Sequence, residues 1–235
     1  HAFSSNQKIN SRIQSGFEQD PKRKARALKI LQVMPPGKHF GPARATSIDL
    51  DTHDLMRFSG FRDDTIVLAD PVDTRFDEVS VACYQDRCSV KDVVRIARQA
   101  EVDVIVAQQR LPLAGLIARA LPGIPLVLRL HNLQKSFNNR FPLERHIRRT
   151  YRHRLYNRLA GIVHVSKTCQ TDFDLKWPEV RVPSCVIGNG LDFSEWVPSR
   201  DRAPEVLLVA RCVPEKGVLE AVQGLASVLP EFPGW

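Results

Sequence analysis

From Leu28 onward, short apolar runs alternate with amphipathic stretches. Runs without polar alternation read as strands buried on both faces, and helices laid over both sides of a parallel sheet provide that burial. The expected class is α/β, a mostly parallel sheet with helices on both faces. Strands are expected at Leu28–Met34, Thr65–Ala69, Val79–Tyr84, Val102–Ala107, Pro125–Leu130, Gly161–Val165 and Ser184–Ile187. Helices are expected at Ala43–Ser59, Val90–Ala100, Pro112–Ala120, Pro142–Leu159 and Thr168–Trp177. In the Val90–Ala100 stretch, for example, Val93, Val94, Ile96 and Ala97 form an apolar stripe beside Arg95 and Arg98.

The pattern divides the chain into three parts. Residues 1–26 are polar, lack apolar periodicity and end in Pro21-Lys22-Arg23-Lys24-Ala25-Arg26, which reads as a flexible basic extension. A nucleic-acid arm is the other reading of that cluster, but no interleaved aromatics accompany it, and no nucleic acid is expected as a partner. Residues 27–198 form the first domain, closing at Trp196-Val197-Pro198. Residues 199–235 read as a linker and the first βα unit of a second domain, with a strand at Val206–Val209 and a helix over Val218–Leu229. One βα pair cannot bury both faces of a sheet, so this second domain is expected to be incomplete.

Of 235 residues, 43% are hydrophobic, enough for a substantial core, and no run approaches the roughly 18 to 20 apolar residues of a membrane span. Cys83, Cys88, Cys169, Cys185 and Cys212 are scattered, with no C-x-x-C pair, so neither a disulfide framework nor a zinc site is expected. Reduced thiols and the lack of an apolar leader point to a soluble, cytoplasmic chain, with the inner face of the membrane as the alternative place. The net charge of +8 calls for an anionic partner without choosing among nucleotide, nucleic acid and phospholipid headgroup.

The sharpest local feature is Leu207-Leu208-Val209-Ala210-Arg211-Cys212-Val213-Pro214-Glu215-Lys216-Gly217, an apolar run, a loop with two cations and a helix opening on glycine. A helix N-terminus flanked by Arg211 and Lys216 offers a diphosphate both free N–H groups and positive charge. Pro-Glu-Lys-Gly is also an ordinary surface turn. The segment resembles the Gly-Arg-x4-Lys-Gly motif of retaining GT-B glycosyltransferases of family 4, with Ala210 in place of the usual first glycine. Four more segments follow that family's order: Pro35-Pro36-Gly37 to Gly41, Pro125 to Asn132, Ile162 to Ser166, and Val186 to Asp192.

The resemblance implies Rossmann-like GT-B architecture, with 27–198 as the acceptor-side domain and 199–235 opening the donor domain. It implies transfer of a sugar from a nucleotide-diphosphate donor to a glycan or lipid-linked acceptor, with retention; without a metal-ligand cluster in the sequence, the chemistry is expected to be metal-free. The nucleotide sugar is then a co-substrate and no other cofactor is expected. Arg211, Lys216 and Gly217 would bind the diphosphate, and the fragment alone would be inactive. His131, just past an expected strand, would lie against the donor sugar as the catalytic residue, with Asn132 beside it. On the residues alone, His131 could equally cap its loop or bond a nearby carbonyl. Gly37 and Gly41 would let the loop after the first strand border the substrates. An epimerase or phosphorylase on the same architecture, and a non-enzymatic basic membrane or nucleic-acid module, are the alternatives.

Two other features have competing readings. Asp49-Leu50-Asp51 and Asp172-Phe173-Asp174 spell D-x-D, but residues two apart on a helix point about 200° from each other and cannot grip one ion. They are expected to be solvated helix faces, with no metal site. The segment 140–158 carries Arg145, Arg148, Arg149 and Arg152 on a helix with an apolar side of Phe141, Leu143, Ile147, Tyr151 and Leu155. It fits a solvated face, a phosphorylated acceptor or an anionic membrane surface.

Overall fold

The computed structural model describes residues 27–37, 39–85, 89–134, 142–192, 194 and 203–234, with the side chains of 142–148 outside that set. The extension at 1–26 and the whole 195–202 connection therefore lie outside the described residues. The chain divides into two compact units, His1–Leu191 and Asp192–Trp235.

In the first unit the elements alternate along the chain. They are β1 (Ile30–Val33), α1 (Ser47–Arg57), β2 (Thr65–Ala69), β3 (Ser80–Cys83), α2 (Val90–Gln99) and β4 (Val104–Gln108). There follow α3 (Leu111–Ala120), β5 (Leu126–Leu130), α4 (Pro142–Tyr156), β6 (Gly161–His164), α5 (Lys167–Lys176) and β7 (Ser184–Val186). The seven strands form one sheet in the order β3-β2-β1-β4-β5-β6-β7. Every pairing is parallel. This is the Rossmann-like doubly wound order, and its switch point, where ligand crevices form at the carboxyl ends of the strands, lies between β1 and β4.

The two faces of the sheet are sorted by strand parity. Leu68 of β2 joins Leu31, Val33, Ile105 and Leu128 in a large cluster that also holds Val93 of α2, Ile117 of α3 and Tyr156 of α4. Its neighbours Val67 and Ala69 join Met34, Phe40 and Ile48 of α1 in a smaller cluster. Both faces of β2 are thus packed, which is why its sequence shows no polar alternation.

Differences from the expected elements have local causes. The first helix starts at Ser47 rather than Ala43, because Thr46 N–H donates to Asp49 Oδ2 at 2.7 Å and fixes the start there. Pro42–Arg44 is a separate short 3-10 turn. The fourth expected helix ends at Tyr156 rather than Leu159.

In the second unit, α6 (Val218–Val228) matches the expected helix. The strand expected at Val206–Val209 is not formed. Leu207 is 84% exposed and Val209 83% exposed, and no ladder partner lies beside them among the described residues. A strand exists only through pairing, so apolar composition alone does not make one.

Candidate functional site

The polar residues of the first unit gather where sheet parity sends them. In β5, Leu126, Leu128 and Leu130 enter the large apolar cluster. Arg129, between two of them, must therefore point to the opposite face, the side covered by α1. Arg129 is paired in register with Gln108 of β4. On α1, Ile48, Asp51 and Thr52 are spaced i, i+3, i+4 and are all buried. Asp51 meets Arg129 there: Arg129 Nη2 donates to Asp51 Oδ1 at 3.2 Å and lies 3.0 Å from Oδ2. Arg129 Nη2 also donates to Asn189 Oδ1 at 3.2 Å, tying the loop after β7 to the same guanidinium.

Burial costs this pair some of its charge preference. Desolvation pushes the Asp51 carboxyl above the usual carboxylate range, against the lowering effect of Arg129 and with a smaller upward push from Asp54. Desolvation likewise lowers Arg129, against Asp51. Asp51 Oδ2 has no aligned hydrogen bond and lies 3.8 Å from His131 Nδ1.

His131 follows β5 directly, at the carboxyl end of the sheet, and its side chain is only 6% exposed. A side chain so covered can offer a ligand one edge, not a face. Gln108 Nε2 donates to Gln32 Oε1 at 2.9 Å, leaving Gln108 Oε1 as acceptor for His131 Nε2 at 2.8 Å. An acceptor at Gln108 Oε1 calls for a proton on Nε2, and Nδ1 lies on the side of Asp51. The backbone is held as well: Gln109 Oε1 accepts from His131 N–H at 2.7 Å and from Asn132 N–H at 3.2 Å. Asn132 is exposed.

The two loop glycines do different jobs. Gly37 has φ 75°, donates its N–H to Asp70 Oδ2 at 2.5 Å, and has open space where a Cβ would stand. Gly41 is buried in extended backbone, and a Cβ there would fall 2.0 Å from the Thr74 carbonyl oxygen. Its small size serves close packing of the 41 and 74 loops.

Of the D-x-D aspartates, the first pair is not the expected solvated face, whereas Asp174 of the second pair is exposed as expected. Asp49 is fully buried at the start of α1 and Asp51 is buried against Arg129. Asp172 bonds Lys176 and accepts from Gln134 N–H at 2.9 Å. Helix faces that pack inward bury whatever polar residues they carry, provided a partner meets them. No cluster of three His, Cys, Asp or Glu suited to a metal occurs among the described residues.

On α4, Arg149 grips Glu179 with both Nε and Nη2 at 3.0 and 2.8 Å. Its expected role as an outward-facing cation is thereby reduced, because the charge is already balanced. The side chains of Arg145 and Arg148 lie outside the described residues, and Arg152 is half-buried.

In the second unit, Arg211 and Lys216 are exposed, and Gly217 caps α6 at φ 62°. Lys216 N–H donates to Val213 O at 2.9 Å and Gly217 N–H to Pro214 O at 3.0 Å. The first α-helical bond is from Ala221 N–H to Gly217 O at 2.9 Å, so the N–H groups of Val218, Leu219 and Glu220 have no intrahelical acceptor.

The profile of Glycosyltransferase Family 4 matches residues 72–195, more than half of the chain. The chain belongs to Glycosyltransferase Family 4. No curated protein matches it. Among solved structures, the crystal structure of Anabaena Alr3699/HepE in complex with UDP aligns at TM-score 0.53 and 21% identity, over 85% of this chain and 50% of that one. The same protein with UDP and glucose aligns at 0.51 and 22% identity, over 74% and 47%. At these identities the likeness is one of fold, and the family 4 chain spans about half the length of its neighbours.

Sequence reading gave the fold and the place of His131 just past β5, and did not connect Asp51, Gln108, Gln109 or Arg129 with it. A signal existed. Gln32, Gln108, Arg129 and His164 each interrupt or close an otherwise apolar strand. An arginine inside a buried strand needs a carboxylate partner, and Asp51 on the inward face of α1 was the available one.

Proposed function

We propose that this chain is part of an enzyme that moves a sugar from a nucleotide-diphosphate donor to a glycan or lipid-linked acceptor, with retention and without a metal ion. Residues 27–198 are its acceptor-side domain, and 199–235 open its donor domain. The observation that carries the reading is the anchoring of His131 in a chain of this family. Gln108 holds its ring, Gln109 its backbone and Asp51 stands beside Nδ1, all at the carboxyl ends of parallel strands.

His131 then lies against the donor sugar with its ring already oriented, so little reorganisation accompanies the reaction. Gly37 and Asn132 border the same end of the sheet. Arg211, Lys216 and the free N–H groups of α6 bind the donor diphosphate and offset the charge that grows on the leaving group. The presence of UDP in the HepE structures makes uridine nucleotides the first donors to try. Arg149 and Arg152 are proposed to meet the acceptor or an anionic surface, Arg149 only after its pair with Glu179 opens.

A donor screen on the full-length protein tests the reading, with His131→Ala as control and the anomeric configuration of the product read by NMR. Product of inverted configuration, turnover abolished by EDTA, or no transfer from any nucleotide sugar would each overturn the corresponding part.

A further inference from the structure

Two non-glycine residues among those described hold positive φ: Glu101 at 52° and Gln109 at 62°. Glu101 has a helical reason. It follows α2, where Val102 N–H reaches back to Ala97 O at 3.0 Å and Glu101 N–H to Arg98 O at 3.2 Å, the bonding of a left-handed helix stop. Gln109 instead centres a tight three-residue turn, across which Arg110 N–H donates to Gln108 O at 2.7 Å, a strained form for a residue other than glycine. It stands between the end of β4 at Gln108 and the start of α3 at Leu111.

What distinguishes Gln109 is where its polar groups go. Its N–H donates to Arg129 O at 2.7 Å, extending the β4–β5 ladder by one bond. Its side-chain oxygen then crosses past β5 and accepts two consecutive backbone N–H groups, His131 at 2.7 Å and Asn132 at 3.2 Å. Glycine would adopt this φ without strain but has no acceptor. Retaining a strained glutamine at this point makes sense if the acceptor matters more than the strain.

We propose that Gln109 is a positioning residue of the transfer reaction, holding the His131–Asn132 turn so that the His131 ring meets the donor sugar in one fixed orientation. This rests on the reading of His131 given above. Gln109 acts through His131; its partner Gln108 fixes the ring, and Gln109 fixes the backbone that carries the ring.

The experiment compares Gln109→Gly, Gln109→Glu and His131→Ala in the full-length protein. It reads thermal melting, amide hydrogen exchange at residues 131 and 132, and turnover of the nucleotide sugar that the donor screen identifies. In Gln109→Gly the strain is relieved, so melting should stay level or rise. The two amides should exchange about tenfold faster or more, and kcat should fall by about 10²-fold with little change in KM. Gln109→Glu keeps an oxygen in place and should restore most of the protection and turnover. A merely structural residue would lower melting and turnover together.

Unchanged exchange at residues 131 and 132 in Gln109→Gly overturns the proposal whatever the turnover. Wild-type turnover in Gln109→Gly, with turnover lost in His131→Ala, overturns the positioning role and leaves the reading of His131 standing. Wild-type turnover in His131→Ala overturns that reading and the positioning role with it.

Discussion

Around His131, polar groups of α1, β1, β4 and β5 form one linked network, with Gln108 and Asp51 beside the ring; around Arg211 and Lys216, two cations stand in solvent at the start of one helix. The first region is preorganised, because each polar side chain has its direction set by strand parity or helix spacing before any ligand arrives. The second has charge without a scaffold, since the apolar run ahead of it forms no strand. Unpairing a buried charge in the first region should therefore register as stability, and changes in the second as binding and rate. The predictions are ways of breaking that contrast.

The largest effect is expected at the Asp51–Arg129 pair. Removing one partner of a buried ion pair leaves the other uncompensated and costs about 3–5 kcal/mol. The two removals should differ. Arg129→Met leaves a carboxyl that can take up a proton, whereas Asp51→Leu leaves a guanidinium that cannot lose one, so Asp51→Leu should be the more destabilising in urea melts. The double variant should recover most of the loss. The pH sign follows from the raised Asp51 pKa: its contribution to stability is fully present below the unfolded-state carboxylate value and is lost as pH rises through the folded value. Without Arg129 the folded value rises further, so lowering pH from 7 to 5 should narrow the gap between Arg129→Met and wild type. A gap that widens would show that Asp51 does not neutralise, and the pair would not be the buried element it is taken for.

In the second region, Arg211→Ala and Lys216→Ala should each cost about 2–4 kcal/mol of transition-state stabilisation in the full-length enzyme, measured as kcat/KM. Both side chains are exposed, so folding stability should move by no more than about 0.5 kcal/mol. Wild-type turnover in both would reduce the loop to a surface turn.

The two loop glycines sharpen the comparison on a smaller scale. Gly41→Ala drives a methyl into the Thr74 carbonyl and should destabilise by about 1–3 kcal/mol. Gly37→Ala meets open space and suffers only its φ of 75°, which should cost about 1 kcal/mol. Equal losses would mean that the 41–74 contact opens easily.

The strand–helix alternation was legible from sequence to within a few residues because strands buried on both faces, such as Thr65–Ala69, are continuous apolar runs. The candidate site was legible only where a residue follows a strand, as His131 does, and its role there stays the proposal made above. Its supporting shell was not, because Asp51 and Arg129 are 78 positions apart and Gln32 and Gln108 are 76 apart. Only the sheet order brings them together. The failed strand at Val206–Val209 shows the converse: an apolar run reports what a segment can bury, while a strand also requires a neighbour to pair with.

The smallest effect concerns α4. Arg149 and Glu179 form a two-pronged but half-exposed pair, so a double-mutant cycle should give a coupling of about 0.2–1 kcal/mol, falling with salt. Its use lies in testing the anionic-surface proposal. If the helix rests on anionic lipid with the pair intact, Arg149 carries no net charge to the membrane. Arg149→Ala should then lower co-sedimentation with anionic vesicles only slightly, and Glu179→Gln should raise it by freeing the guanidinium. If Arg149→Ala lowers it strongly, the ion pair opens at the surface and Arg149 itself is the contact. If neither variant changes partitioning, the arginines of this helix are a solvated face, and the membrane proposal is withdrawn while the site around His131 stands untouched.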